Sequence, residues 1–211
     1  PGSALTHFIG MILAGLAATP LLVLAAKDGG RYAVPALAIF AASMILLYGA
    51  STTYHTFNIS EKVNKVLRKI DHMMIFILIA GSYTPICVIP LRDTVGIPLL
   101  ILVWTVAIAG MLIKAFWITC PKWFSSTIYI AMGWLCVLAM VPLVQTLPTA
   151  AFIWLVAGGV IYTIGGVIYA LKLPIFNSKH KNFGSHEIFH LFVMGGSFCH
   201  YMMMYGYVAA A

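Results

Sequence analysis

The densest chemistry in the chain lies in Ser185-His186-Glu187-Ile188-Phe189-His190. Histidines four residues apart share one face of a helix, one turn above the other, where two imidazoles can bind a single divalent ion. With the intervening glutamate the string also fits H-E-x-x-H, the zinc-protease signature in which Glu acts as base. The surroundings sharpen the reading. Ionisable groups are scarce, and an apolar helix of Phe, Met, Val and Gly follows directly, so polar groups at its edge are costly to keep unless something uses them.

The elements that must position these residues are membrane spans. Apolar residues make up 62% of the 211 residues and charged ones 8%, with a mean hydropathy of +1.01. Runs of about twenty apolar residues recur from end to end, each long enough to cross a bilayer as a helix. The expectation is an all-α integral membrane protein. It would be a single seven-transmembrane helix bundle over 1–211, with spans near 4–26, 33–57, 71–91, 95–116, 123–144, 150–171 and 183–210. The first run is too long and too lightly charged at its start for a cleaved signal peptide, and reads as a retained span. A net charge of +7 raises nucleic acid as a partner. The basic residues fall instead in short loops, where they orient a membrane protein, so no nucleic-acid partner is expected. Cys87, Cys120, Cys136 and Cys199 lack metal or redox spacing and read as buried small hydrophobes.

Alternate loops differ in charge. One side carries Lys62, Lys65, Arg68, Lys69, Lys114, Lys122, Lys172, Lys179 and Lys181, the other only Lys27, Arg31 and Arg92. This asymmetry puts the N-terminus in the cytoplasm and the C-terminus outside. In the second loop, Ile59, Val63, Val66, Leu67 and Ile70 recur at helical spacing, predicting a short amphipathic helix on the inner surface, capped by Asn58 or Ser60. Pro85 predicts a kink in the third span. Gly158-Gly159 and Gly165-Gly166, one heptad apart, predict close helix packing.

That topology carries distant groups to one depth. His55 ends the second span, Asp71 opens the third, and His186 and His190 open the seventh, all at the inner edge of the bilayer. Three imidazoles from two helices with an open fourth position form the ligand set of a catalytic zinc site. His55 alone reads equally well as an interfacial histidine, and a helix cap is the lesser reading of Asp71. Ser51, one turn before His55, is placed to hydrogen-bond into the site, but as a nucleophile with His55 as base it lacks an orienting carboxylate. His72 points about a quarter turn away from Asp71 and reads as a residue that packs or hydrogen-bonds. His200 lies deeper, towards a polar cavity. His7, a single histidine near a helix start, carries little weight.

Taken together, Ser51-x-x-x-His55, Asp71 at the third span, and Ser185-His186-Glu187-Ile188-Phe189-His190 at the seventh resemble the hallmarks of the hemolysin III family. This is the bacterial branch of the progestin and adipoQ receptor superfamily, which includes the adiponectin receptors. Ser60-Glu61-Lys62-Val63 and Gly81-Ser82-Tyr83-Thr84-Pro85 resemble it too. The resemblance implies a multi-pass protein of the bacterial inner membrane with Zn2+ near the inner leaflet. It implies ligation by His55, His186 and His190, with Asp71 holding a water on the metal. It also implies kinship with the alkaline ceramidases, and argues against Glu187 as an essential base, since receptor relatives tolerate glutamine there.

The function expected is a zinc-dependent hydrolase of a lipid amide or ester, drawing its substrate from the cytoplasmic leaflet, with Asp71 as the proton acceptor and Ser51 beside it. Three alternatives stand against it: a receptor or sensor with structural zinc, a membrane-permeabilising hemolysin, and an intramembrane protease using Glu187. The expected partner is a membrane lipid.

Overall fold

A chain this apolar satisfies its backbone most readily by coiling it into helices, because hydrocarbon offers no water to bond to. The computed structural model describes residues 2–171 and 183–211, and every regular element in them is helical. The order is α1 (Gly2–Asp28), α2 (Ala33–Thr56), α3 (Glu61–Val88), a wide turn (Arg92–Gly96) into α4 (Ile97–Phe116), then α5 (Lys122–Gly133). A tight 3-10 stretch (Trp134–Ala139) leads to α6 (Met140–Thr146), followed by α7 (Thr149–Leu171) and α8 (Ser185–Met203), which a wide turn (Met204–Val208) prolongs. Among the described residues six units are long and apolar enough to cross a membrane: α1, α2, α3, α4 with its turn, α5 through α6, and α7. α8 is not one of the six; His186, Glu187, His190 and His200 make it the most functionalised helix of the bundle.

Successive helices α1 to α4 pack pairwise, α7 lies along α8, and α8 returns to α1. Leu37, Phe40, Phe76, Val103 and Met203 form the interior, while Leu16, Ile101, Leu138 and Val141 face outward. An apolar exterior of this extent requires lipid around it. Of the four free cysteines, Cys87, Cys120 and Cys199 are buried, whereas Cys136 is only half-buried.

Several local features depart from the sequence reading. The amphipathic segment and the third span are one continuous α3, because no breaker separates Ile70 from Asp71. Ser60 supplies the cap, accepting from the Val63 amide at 3.3 Å, while Asn58 instead accepts from the Asn64 side chain at 2.6 Å. The segment expected as one span at 123–144 is interrupted after Gly133. Tyr83 patches the interruption: its hydroxyl lies 2.5 Å from the Gly133 carbonyl and accepts from the Cys136 amide at 2.8 Å, re-satisfying groups the break releases. Lys114 does not reach the headgroups. It is 2% exposed, its ammonium donating to Ser125 Oγ at 2.5 Å and Cys120 Sγ at 3.1 Å. Lys172, Lys179 and Lys181 lie outside the described residues.

The glycine heptad does what its spacing promises, on one face only. A Cβ on Gly158 would meet the His200 ring at 2.4 Å and one on Gly165 would meet Phe192 at 2.6 Å, both on α8. Gly159 faces open space and Gly166 faces Ile130 on α5. The least forgiving glycine is Gly96, where a Cβ would stand 2.0 Å from the Cys87 carbonyl oxygen and 2.5 Å from that of Leu91. Backbone cannot swing aside as a side chain can. Gly96→Ala is therefore expected to cost about 3 kcal/mol, the upper range for overpacking, seen as a lowered unfolding temperature in detergent. An unchanged temperature would contradict the tight α3–α4 corner.

Candidate metal centre

α2 ends where α8 begins, and this brings the histidines together. His55 comes from the last turn of α2, and His186 and His190 from the first two turns of α8. Their ligand nitrogens all lie within 4.8 Å of one another. The rings of His55 and His186 are 4.9 Å apart between centroids, those of His186 and His190 4.5 Å. The Nε2 atoms of His55 and His186 approach to 3.1 Å. Two nitrogens coordinating one tetrahedral zinc at about 2.0–2.1 Å would be separated by roughly 3.3 Å. The donor set therefore suits such an ion in type and number, and the His55–His186 pair suits it in spacing.

A neighbouring helix orients the third imidazole. His190 is 2% exposed, and its Nδ1 lies 3.2 Å from the Ser3 carbonyl and 3.1 Å from Thr6 Oγ1, both on α1. A carbonyl can only accept, so the proton is assigned to Nδ1, leaving Nε2 as a lone-pair donor. This is how ligating histidines are commonly held, through the nitrogen that does not meet the metal. His7 completes the support by stacking on His190, with centroids 3.6 Å apart and planes inclined by 6°.

Glu187 takes no part in the cluster. One carboxylate oxygen accepts from the Gly184 amide at 2.8 Å at the head of α8, and the other accepts from the Ser3 hydroxyl. It thus straps α1 to α8, and through Ser3 it bears on His190. Asp71 lies within α3, ten residues past its start, which removes the reading of it as a cap. It is 8% exposed, with one oxygen 3.4 Å from His72 Nδ1, and it lines a cavity together with Ser51, His186 and His190. His72 also lies 2.9 Å from the Arg68 carbonyl. Ser51 is buried in that wall, but its hydroxyl makes no hydrogen bond to His55 or to any other described residue. A Ser51–His55 nucleophile pair is not formed.

The sequence reading missed the contribution of α1. The signal was present: Ser3, Thr6 and His7 stand at i, i+3 and i+4, one polar stripe on an otherwise apolar helix. His200 lines the same cavity further along α8.

The chain matches the family described as "Haemolysin-III related" over residues 1–201. It is 38% identical over 195 residues to the "Hemolysin-3 homolog" of Bacillus subtilis (strain 168), covering 92% of this chain and 87% of that protein. Likeness to "Hemolysin-3" of Bacillus cereus is 40% over 195 residues, covering 92% and 85%. A weaker likeness, 26% over 176 residues, reaches the "Adiponectin receptor protein" of Drosophila melanogaster, covering 74% of this chain and 39% of the receptor. With six helices fit to cross a bilayer and a family match over nearly its whole length, the chain is a multi-pass membrane protein belonging to the haemolysin-III related family.

Proposed function

We propose that the three-histidine cluster holds Zn2+ and that the protein is a zinc-dependent hydrolase of a lipid amide or ester. The observation that carries this is the convergence of His55, His186 and His190, of which His186 and His190 line a cavity whose wall also includes a buried carboxylate, Asp71. Bound there, zinc supplies a Lewis acid that polarises a carbonyl and makes water more acidic. The chain's own residues do the rest. The Asp71 carboxylate accepts the proton of the attacking water and returns it to the leaving group. Ile75, Ile79 and Val193, among the many apolar residues of the cavity wall, take the acyl chain and exclude bulk water from it. Ser3 and Thr6 hold His190 in the ligating tautomer.

In this reading α8 is the seventh span, the N-terminus is cytoplasmic and the C-terminus outside. The support is charge: Lys62, Lys65, Arg68 and Lys69 stand at the histidine-bearing end of α3, against Lys27, Arg31 and Arg92 at the other ends. The substrate then enters from the inner leaflet.

The test is hydrolysis of a panel of lipid amides and esters by purified protein. Activity should vanish on chelation and return with added zinc. Metal bound without turnover across the panel would favour a receptor or sensor with structural zinc, the reading that the likeness to an adiponectin receptor supports. The hemolysin names of the bacterial relatives suggest membrane permeabilisation; liposome leakage by purified protein at low protein-to-lipid ratio would support that instead.

Glu187→Gln separates this account from an H-E-x-x-H protease. Because Glu187 is engaged with Gly184 and Ser3, the variant is expected to keep its metal and most of its turnover, losing about 1 kcal/mol of stability at the head of α8. A protease base removed in this way would cost at least about a hundredfold in rate.

A further inference from the structure

The cavity has a second polar station, far from the metal centre. His200 lines it ten residues beyond His190 on α8, which places the two about 15 Å apart along the helix. Among the described residues neither His200 ring nitrogen makes a hydrogen bond. The surrounding hydroxyls are already committed: Tyr48 donates to Ser197 Oγ at 2.6 Å, and the Tyr162 hydroxyl pairs with the same oxygen at 2.8 Å. Tyr162 meets the His200 ring edge-on, centroids 5.4 Å apart.

The fold makes room for this unpaired ring. Gly158 on α7 gives way to it, since a Cβ there would lie 2.4 Å from Cδ2 and 2.6 Å from Nε2. Along α8 between His190 and His200 the wall is lined by Val193, which offers an imidazole nothing to bond. A buried imidazole lacking a protein partner, on the wall of an apolar cavity, is matched by a polar group on whatever fills that cavity.

The geometry points to a lipid ligand carrying two polar groups: a head at the three-histidine cluster, and a hydroxyl partway along its chain that bonds to His200. This rests on the reading above that the cavity takes an acyl chain. An extended chain spans about 15 Å in roughly a dozen carbons, so the hydroxyl belongs near the twelfth carbon. The choice of a hydroxyl follows from the ring. Neither nitrogen is bonded by a described residue, and a neutral imidazole carries one N–H and one lone pair. A hydroxyl can accept from the first or donate to the second, and so pairs with whichever nitrogen faces the cavity.

The test is displacement of a fluorescent fatty acid from purified protein in detergent by stearate, by stearate hydroxylated at its twelfth carbon, and by stearate with a ketone there. The hydroxylated chain is expected to bind about fivefold more tightly than stearate, the return from one hydrogen bond, while the ketone reports whether the nitrogen facing the cavity carries the proton. His200→Leu should reduce that ratio to one without weakening stearate, whereas His200→Gln, which keeps an acceptor, should retain a preference. Equal affinities for all three ligands on the unaltered protein would overturn the inference and leave the acyl-chain reading standing, as would a preference that survives in His200→Leu. Failure of every fatty acid to displace the probe would overturn both.

Discussion

Purified protein carrying His55→Ala should contain almost no zinc, its affinity lowered by at least about a hundredfold, the upper cost of disturbing a ligand only indirectly. His55 is the sole ligand from α2; His186 and His190 both come from α8. Without it, two imidazoles on one helix remain, too few to exclude competing water from the ion. The variant should still fold, because His55 is only partly buried and lies at the end of its helix. Thermal unfolding provides a second readout. A ligand present at a hundred times its dissociation constant stabilises the native state by about 2.7 kcal/mol. The unaltered protein should therefore lose stability on chelation, while His55→Ala should not respond. Full metal content in the variant would remove His55 from the site.

Asp71→Asn should behave in the opposite way, keeping its metal and losing turnover. Asparagine preserves the size of the side chain and its ability to accept a hydrogen bond, so the packing around His72 changes little. It cannot take a proton from water at neutral pH. The expected fall in kcat is at least about a hundredfold, the usual contribution of a positioned base, with KM nearly unchanged because the acyl chain is held elsewhere. Unaltered kcat in a protein with normal metal content would remove Asp71 from the chemistry.

Much of this was legible in the sequence, for physical reasons that also mark where legibility stopped. Hydropathy located the helices because solvation by lipid forces long apolar segments. It blurred at α3, where the amphipathic start and the apolar span join without a breaker, and at Gly133, where a tertiary contact from Tyr83 sustains an interruption that no local pattern announces. The pairing of His186 with His190 was readable from helical periodicity, and the approach of His55 from counting spans. The role of α1 was harder to see. Ser3 meets His190 through its carbonyl, a group every residue possesses, and His7 meets it by stacking, so only the polar stripe of Ser3, Thr6 and His7 marks the helix. Lys114 misleads for a related reason: a cation beside a loop counts towards the charge asymmetry until Cys120 and Ser125 are seen around it.

The most direct test of the metal centre is X-ray absorption at the zinc edge on protein purified without added metal. The arrangement of His55, His186 and His190 predicts one zinc per chain, with imidazole scattering from three nitrogens at about 2.0–2.1 Å and no sulfur shell. Absence of zinc, or a shell at about 2.3 Å showing thiolate ligation, would contradict it.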